Sequence, residues 1–167
     1  MDLFSLEDTL NAQTNVRLCS AYLYFSMSVD AERKGFNGVA NWFSAQCSKE
    51  MRDVRRLMNH INAIGAKVSL YKIDEVPSQW NSLLSMLDDK LRRDEKIFEL
   101  LAYALMVAVE TVKDDSVGFI KVLQCEQSKK IKITKQLIEC LKEAEDDRLV
   151  QRLIDEQLNE KGEKCDN

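Results

Sequence analysis

The chain has 167 residues, of which 45% are hydrophobic and 31% charged, so we expect one domain with a sizeable core rather than a disordered or fibrous protein. The net charge of −4 gives no electrostatic argument for binding nucleic acid or an anionic membrane, and no apolar run is long enough to span a bilayer. Five cysteines without a CxxC pair, and a start without a signal-like segment, predict a reducing cytoplasm. The single histidine, His60, excludes a site that needs two imidazoles from one chain.

Cap residues, glycines and the one proline divide the chain into five predicted helices. Ser5 and Asp8 have the spacing of a capping box, and Gly35 and Gly65 are suited to end the first two helices. Pro77 blocks a helix in the segment from 66 to 81. The predicted helices are Leu6–Lys34, Asn37–Ile64, Ser82–Val112, Ser116–Lys142 and Asp146–Asn159.

The connection between the second and third helices is long enough to run the length of a bundle, so these two helices are predicted to be parallel neighbours. Asp114 and Asp115 mark a break before the fourth helix. Four helices of similar length with one long crossover predict an all-α four-helix bundle. We therefore expect a single domain with its bundle at about 6–143, a short fifth helix at about 146–159 and a mobile charged tail at 160–167.

Polar side chains interrupt the apolar stripe near the middle of each long helix. Glu50 and Asp53 lie in the stripe of the second helix, where burying two carboxylates is costly unless cations meet them. Interruptions at one level of a bundle converge on one buried polar centre, in which either metal ions or other side chains meet the carboxylates. The predicted members of this centre are Arg17, Tyr24, Glu50, Asp53, Asp94, Gln127 and Lys130.

Several segments, in order along the chain, resemble the ferritins and especially their bacterial and archaeal non-haem branch. They are Asn11–Asn15, Tyr22–Tyr24, Gly35–Phe43, Val68–Ser82, Glu126–Gln127 and Leu153–Leu158. The resemblance covers about residues 7 to 160. It implies a ferritin-like bundle, a hollow shell of twenty-four subunits and a di-iron ferroxidase centre built from carboxylates, with ligand pairs at i, i+3 spacing.

The chain departs from this family at the residues of the metal site. The resemblance implies glutamates where this chain has Arg17, Lys49 and Lys130, and a histidine where it has Asp53, whereas the bridging Glu50 is kept. An arginine can bridge carboxylates through two hydrogen bonds. We therefore predict an internal salt-bridge cluster in place of most of the di-iron site.

Iron is expected to bind weakly, or only as a mineral, at residues that keep an oxygen ligand. These residues are Glu50, Asp53, Asp94, Gln127 and Glu126. No haem is expected, although Met51 follows Glu50 as it does in haem-containing relatives. The basic run of Lys129, Lys130, Lys132 and Lys135 is interpreted as a solvated helix face rather than a nucleic-acid surface.

Together these features predict a cytoplasmic cage subunit for iron storage or sequestration. Self-assembly into twenty-four subunits and co-assembly with a catalytic ferritin subunit are the partners that the resemblance implies, with no nucleic acid and no membrane. The alternative is an active non-haem ferritin that oxidises Fe(II) at a modified site. Because cations stand at two ligand positions, the first function is preferred and no residue is assigned a catalytic role.

Overall fold

The computed structural model describes residues 4–145 and 147–163, and all regular structure within them is helical. The predicted all-α four-helix bundle with a short fifth helix is confirmed. Its helices are α1 (Leu6–Arg33), α2 (Asn37–Ala63), α3 (Leu83–Glu110), α4 (Asp114–Glu143) and α5 (Arg148–Glu163). No helix in the described part of the chain is both long and apolar enough to cross a membrane.

Local signals in the sequence account for the ends of α1 and α2. Ser5 and Asp8 form the predicted capping box, in which each residue's side chain accepts a hydrogen bond from the other's backbone N–H at 3.1 Å. Gly35 and Gly65 follow the two helices with φ angles of 81° and 73°. A side chain at either position would be strained in this left-handed conformation, so glycine is the residue that ends the helix at low cost.

The crossover between α2 and α3 is held against α1 along its length. Asn11 accepts from the backbone N–H of Ser69, and Asn15 donates to the carbonyl of the same residue, both at 2.8 Å. Near the other end of α1, Asp30 accepts from the backbone N–H of Trp80 at 3.1 Å. The crossover therefore runs from the start of α1 to its end, and α3 begins beside the start of α2. Helices α2 and α3 are parallel as predicted, but the prediction that they are neighbours is wrong, because α3 packs against α1 and α4.

Two apolar clusters fill the bundle, one on either side of its middle. The first includes Tyr24, Met27, Phe43, Leu87 and Leu141, and the second includes Leu10, Leu57, Ile61, Leu101 and Ile120. Burying each large side chain of this kind contributes about 1.5–3 kcal/mol. The polar residues described below lie between the two clusters, so the bundle has two apolar ends and a charged middle.

The fifth helix packs against the start of α2. Phe36, the cap residue of α2, makes no side-chain capping bond, and the backbone N–H of Val39 donates instead to Asp155 of α5 at 2.8 Å. A Cβ atom at Gly38 would overlap with the backbone carbonyl of Asp155. Glycine at this position therefore allows α5 close enough for its carboxylate to cap α2.

Three predicted boundaries differ from the structure. Asp114 and Asp115 do not break the chain but form the first turn of α4, where negative charge is favourable at a helix N-terminus. The break lies before them, because α3 ends at Glu110 rather than at the predicted Val112. Val112 has a φ angle of 53° in this connection. Helix α5 extends to Glu163, so residues 160–163 are helical rather than a mobile tail. The predicted helix start at Asp146 and the tail residues 164–167 lie outside the described residues.

Candidate functional site

The predicted polar residues lie between the two apolar clusters, except that the ring of Tyr24 is part of the first cluster. Six of them, namely Arg17, Tyr24, Glu50, Asp53, Asp94 and Gln127, are 0–1% exposed. The seventh, Lys130, is 13% exposed and reaches in from the edge of the bundle. These side chains come from all four long helices. They form two groups, one around Glu50 and Asp53 and one around Asp94.

In the first group, every carboxylate oxygen of Glu50 and Asp53 accepts a hydrogen bond from a cation. Arg17 Nη1 lies 2.9 Å from Glu50 Oε2 and 3.2 Å from Asp53 Oδ2. Lys130 Nζ lies 2.7 Å from Glu50 Oε1 and 3.5 Å from Asp53 Oδ2. Arg56 Nη1 lies 2.9 Å from Asp53 Oδ1. The cations come from α1, α2 and α4, so the pairing ties three helices together.

A glutamine orients the buried arginine. Arg17 Nε donates to Gln13 Oε1 at 2.9 Å, and Gln13 Nε2 donates in turn to the backbone carbonyl of Ile97 at 3.1 Å. Gln13 is fully buried and sits one turn before Arg17 on α1. The guanidinium is thus fixed by α3 on one side and by the carboxylates of α2 on the other, which favours a single orientation.

In the second group, Asp94 accepts hydrogen bonds from Tyr24 and Lys90. Tyr24 OH donates to Asp94 Oδ1 at 2.6 Å, and Lys90 Nζ pairs with Asp94 Oδ2. The Lys90 ammonium also lies 5.1 Å and 5.3 Å from the ring centroids of Tyr24 and Trp42, within the range of cation–π attraction. Burial lowers the pKa of Lys90, and the charge of Asp94 opposes that shift.

Lys90, which is fully buried, was not among the residues predicted for the polar centre. Arg17, Arg56, Lys90 and Lys130 supply four positive charges against the four negative charges of Glu50, Asp53, Asp94 and Glu126, whereas the predicted centre contained only the cations Arg17 and Lys130. Lys90 lies one turn before Asp94, and this spacing predicts the ion pair but not its burial. Buried charges are tolerated when they are paired and hydrogen-bonded, and this balanced set meets that condition.

The two remaining predicted ligands lie at the edge of this arrangement. Gln127 Nε2 donates to the backbone carbonyl of Asp94 at 2.9 Å, while Gln127 Oε1 is buried without a partner in the described part of the chain. Glu126 is partly exposed and pairs with Arg56 at 2.7 Å, so it connects to Asp53 only through that arginine.

The arrangement of side chains does not fit a divalent metal. Glu50, Asp53 and Asp94 have no carboxylate oxygen without a hydrogen-bond donor, so a metal would have to displace Arg17, Lys90 or another cation. Among residues 4–145 and 147–163, no group of three or more histidine, cysteine, aspartate or glutamate side chains is placed to hold an ion. The free amide oxygen of Gln127 is one neutral ligand, which is too few for such a cation.

Comparison with known proteins agrees with the fold. A model of the ferritin-like domain family matches residues 7–144. The bacterial non-heme ferritin of Bacteroides fragilis (strain 638R) is 28% identical over 120 residues, which cover 70% of this chain and 76% of that protein. A protein of Escherichia coli (strain K12), described as bacterial non-heme ferritin-like, is 27% identical over 118 residues, or 71% of each chain.

Solved structures show the same architecture. The open pore ferritin of the hyperthermophilic archaeon Archaeoglobus fulgidus superposes with a TM-score of 0.88 at 23% identity, covering 92% of this chain and 95% of that chain. The closed form engineered from the same ferritin gives a TM-score of 0.87 at 23% identity, with 92% and 94% covered. With the family match spanning the whole four-helix bundle, the chain belongs to the ferritin family.

Proposed function

We propose that the protein is a subunit of a cytoplasmic ferritin-type shell that stores iron without oxidising Fe(II) at a di-iron centre of its own. Membership of the ferritin family and relatives described as bacterial non-heme ferritins support the storage role. The resemblance of the chain to ferritins along its length, including a fifth helix, supports assembly into twenty-four subunits. Iron is the cargo of this shell rather than a resident cofactor.

The observation that carries the proposal is the pairing of all six carboxylate oxygens in the polar centre. Each oxygen of Glu50, Asp53 and Asp94 already accepts a hydrogen bond from a cation or from Tyr24. A pair of metal ions needs bridging carboxylates whose negative charge is not already neutralised. In this neutral centre in a dry interior, the charge of two further divalent cations would be poorly compensated.

Within this proposal, the cations of the centre act as structural replacements for metal ions. Arg17 joins α1 to α2, and Lys130 joins α4 to α2, as bridging metals would join the helices of a di-iron bundle. The subunit would then contribute shell surface and cavity, and the oxidation of Fe(II) would depend on a co-assembled catalytic subunit.

Stopped-flow oxidation of Fe(II) by the purified, assembled protein tests this function. We expect no rapid phase at low iron-to-protein ratios. A rapid phase that saturates at about two irons per subunit, the stoichiometry of a two-metal site, would instead establish the active alternative. The assembly state is measured on the same sample by light scattering, because a protein that stays monomeric would contradict the shell.

The double variant Arg17→Glu with Lys130→Glu provides the comparison. It removes the two cations that occupy ligand positions and leaves Glu50 and Asp53 without their interhelical partners. We expect partial recovery of metal binding, seen as a rise in melting temperature on adding Fe(II) without oxygen. Wild type should show no such rise. A variant that folds yet gives no metal-dependent rise would argue against a displaced metal site.

A further inference from the structure

The surface along the seam between α2 and α4 is strongly basic, although the chain as a whole has a net charge of −4. Arg56 pairs with Glu126 across this seam at 2.7 Å, and Lys130 pairs with Glu50 at 2.7 Å. These two bridges place residues 49–56 of α2 beside residues 126–132 of α4. We call the exposed and half-exposed cations of these two segments the cationic band, which consists of Lys49, Arg52, Arg55, Arg56, Lys129 and Lys132. Arg55 and Lys132 lie on the outer faces of their helices, and the other four are nearer the seam.

Few negative charges offset the cationic band. The only carboxylates of α2, Glu50 and Asp53, are buried in the polar centre and already paired with cations. Glu126 is the only acidic residue between 126 and 132, and it is held by Arg56. Within the described residues, no ion pair forms at Lys49, Arg55, Lys129 or Lys132. The band therefore has a large unbalanced positive charge.

Cations in this arrangement repel one another when the surface is bare. Lys49, Arg52 and Arg56 are three and four residues apart, so their side chains are neighbours on one helix face, where like charges destabilise the helix. An anion that binds between them removes that repulsion. Arginine and lysine side chains together favour phosphate groups, because the guanidinium donates two parallel hydrogen bonds and the ammonium adds a point charge.

The composition of the band distinguishes between types of phosphate ligand. No aromatic side chain occurs at residues 49–56 or 126–132, whereas the exposed aromatic residues Tyr22, Phe25 and Tyr71 lie on α1 and the crossover. Nucleic-acid bases would have nothing to stack on along the seam. Lys49 and Arg56 are seven positions apart, about 10 Å at the rise of an α-helix, which suits linked phosphate groups better than a single phosphate.

We propose that the cationic band binds inorganic polyphosphate, a chain of linked phosphate groups without bases. This inference does not depend on how the protein handles iron, because the cations changed in its test, Arg52 and Lys129, donate no hydrogen bond to the carboxylates of the polar centre. The ligand would lie along the α2–α4 seam, with Arg52 and Lys129 on opposite sides of it.

Isothermal titration calorimetry of the assembled full-length protein with inorganic tripolyphosphate tests the proposal. The variant is Arg52→Gln with Lys129→Gln. Arg52 is 62% exposed and its nearest carboxylate oxygen, on Asp53, is 3.9 Å away, so the fold should not depend on it. The matched control, Lys72→Gln with Lys96→Gln, removes the same two charges from the crossover and α3, where both side chains are exposed.

We expect tripolyphosphate to bind wild type with an affinity that falls as salt is raised, since exposed charges are screened. The Arg52 and Lys129 variant should bind about tenfold more weakly, from the loss of two solvent-exposed ion pairs with phosphate, and the control should bind nearly as wild type. Three outcomes would overturn the proposal. They are no binding to wild type, an equal loss in both double variants, and binding of an oligodeoxynucleotide of equal charge as tight as that of tripolyphosphate.

Discussion

The two groups of the polar centre neutralise their buried carboxylates in different ways. Glu50 and Asp53 are neutralised mainly by Arg17 and Lys130, which come from other helices. Asp94 is neutralised by Lys90 from its own helix, one turn earlier, with Tyr24 as a second donor. The first group is therefore a connection between helices, whereas the ion pair of the second group would be close even in an isolated α3.

This difference shows that a buried charge can be paired either within one helix or only when two helices pack together. The charge of Lys90 is balanced within α3 before the bundle closes, because i, i+4 neighbours on a helix already meet. The charge of Arg17 finds its partners only when α1 packs on α2. We therefore expect the first group to contribute more to the stability of the assembled bundle, and the variants below test that ranking.

The largest loss is expected for Arg17→Ala. It leaves the buried Glu50 and Asp53 with one cation fewer and Gln13 Oε1 without its donor, which should lower the free energy of unfolding by about 3–5 kcal/mol. Equilibrium unfolding in guanidinium chloride measures the change. The control is Arg33→Ala, whose side chain is 60% exposed and pairs with Asp30, with an expected loss of about 0–1 kcal/mol. Equal losses would show that Arg17 does not connect the helices.

A smaller loss is expected for Lys90→Met. Asp94 keeps its hydrogen bond from Tyr24, so we expect a decrease in unfolding free energy of about 2–3 kcal/mol in the same assay. The triple variant Lys90→Met, Asp94→Leu, Tyr24→Phe replaces the whole group by apolar side chains and should recover most of that loss. A triple variant less stable than Lys90→Met would mean that the group contributes more than the cost of burying it.

The smallest loss is expected for Tyr24→Phe, which removes one hydrogen bond and leaves the ion pair of Asp94 with Lys90. We expect a decrease of about 1–2 kcal/mol at neutral pH. Burial, and the negative charge of Asp94, raise the pKa of Tyr24 well above its ordinary 10.0. The folded chain then keeps a proton that the unfolded chain releases, so the stabilisation is complete below pH 10.0 and is lost as the pH rises further.

The pH dependence of the unfolding free energy provides a separate test of Tyr24→Phe. The difference in unfolding free energy between wild type and Tyr24→Phe should decrease as the pH is raised above about 10, the ordinary pKa of a tyrosine. Lys90 titrates in both proteins and largely cancels in the difference. A difference that stays constant up to pH 11 would mean that Tyr24 releases its proton as readily in the folded chain as in the unfolded one.

Local sequence signals account for most of the fold. The capping box at Ser5, Gly35 after α1, and the long segment containing Pro77 give the number, length and order of the helices. The predicted members of the polar centre follow from helical periodicity, because a polar residue within the apolar stripe of a helix has to face the core. The start of α4 was misplaced since Asp114 and Asp115 favour both a turn and the first turn of a helix.

Contacts between distant residues could not be predicted in this way. Lys90 followed by Asp94 looks like an ordinary exposed i, i+4 pair, and only the packing of Tyr24 and Trp42 around the ammonium shows that it is buried. Arg56 likewise has a partner on its own helix, and its bond to Glu126 of α4 spans 70 residues of sequence. Spacing within a helix places a residue on a face but does not identify the neighbouring helix.

The contact between Val39 and Asp155 has a consequence for the order of folding. The bond that caps α2 joins residues 116 positions apart, so the start of an early helix lacks this cap until Asp155 has been synthesised. During translation, α1 and α2 can pair through Arg17, yet the first turn of α2 has no partner for its backbone N–H. Gly38 leaves room for α5 to approach, so the first turn of α2 gains this cap only once the chain has been synthesised as far as α5.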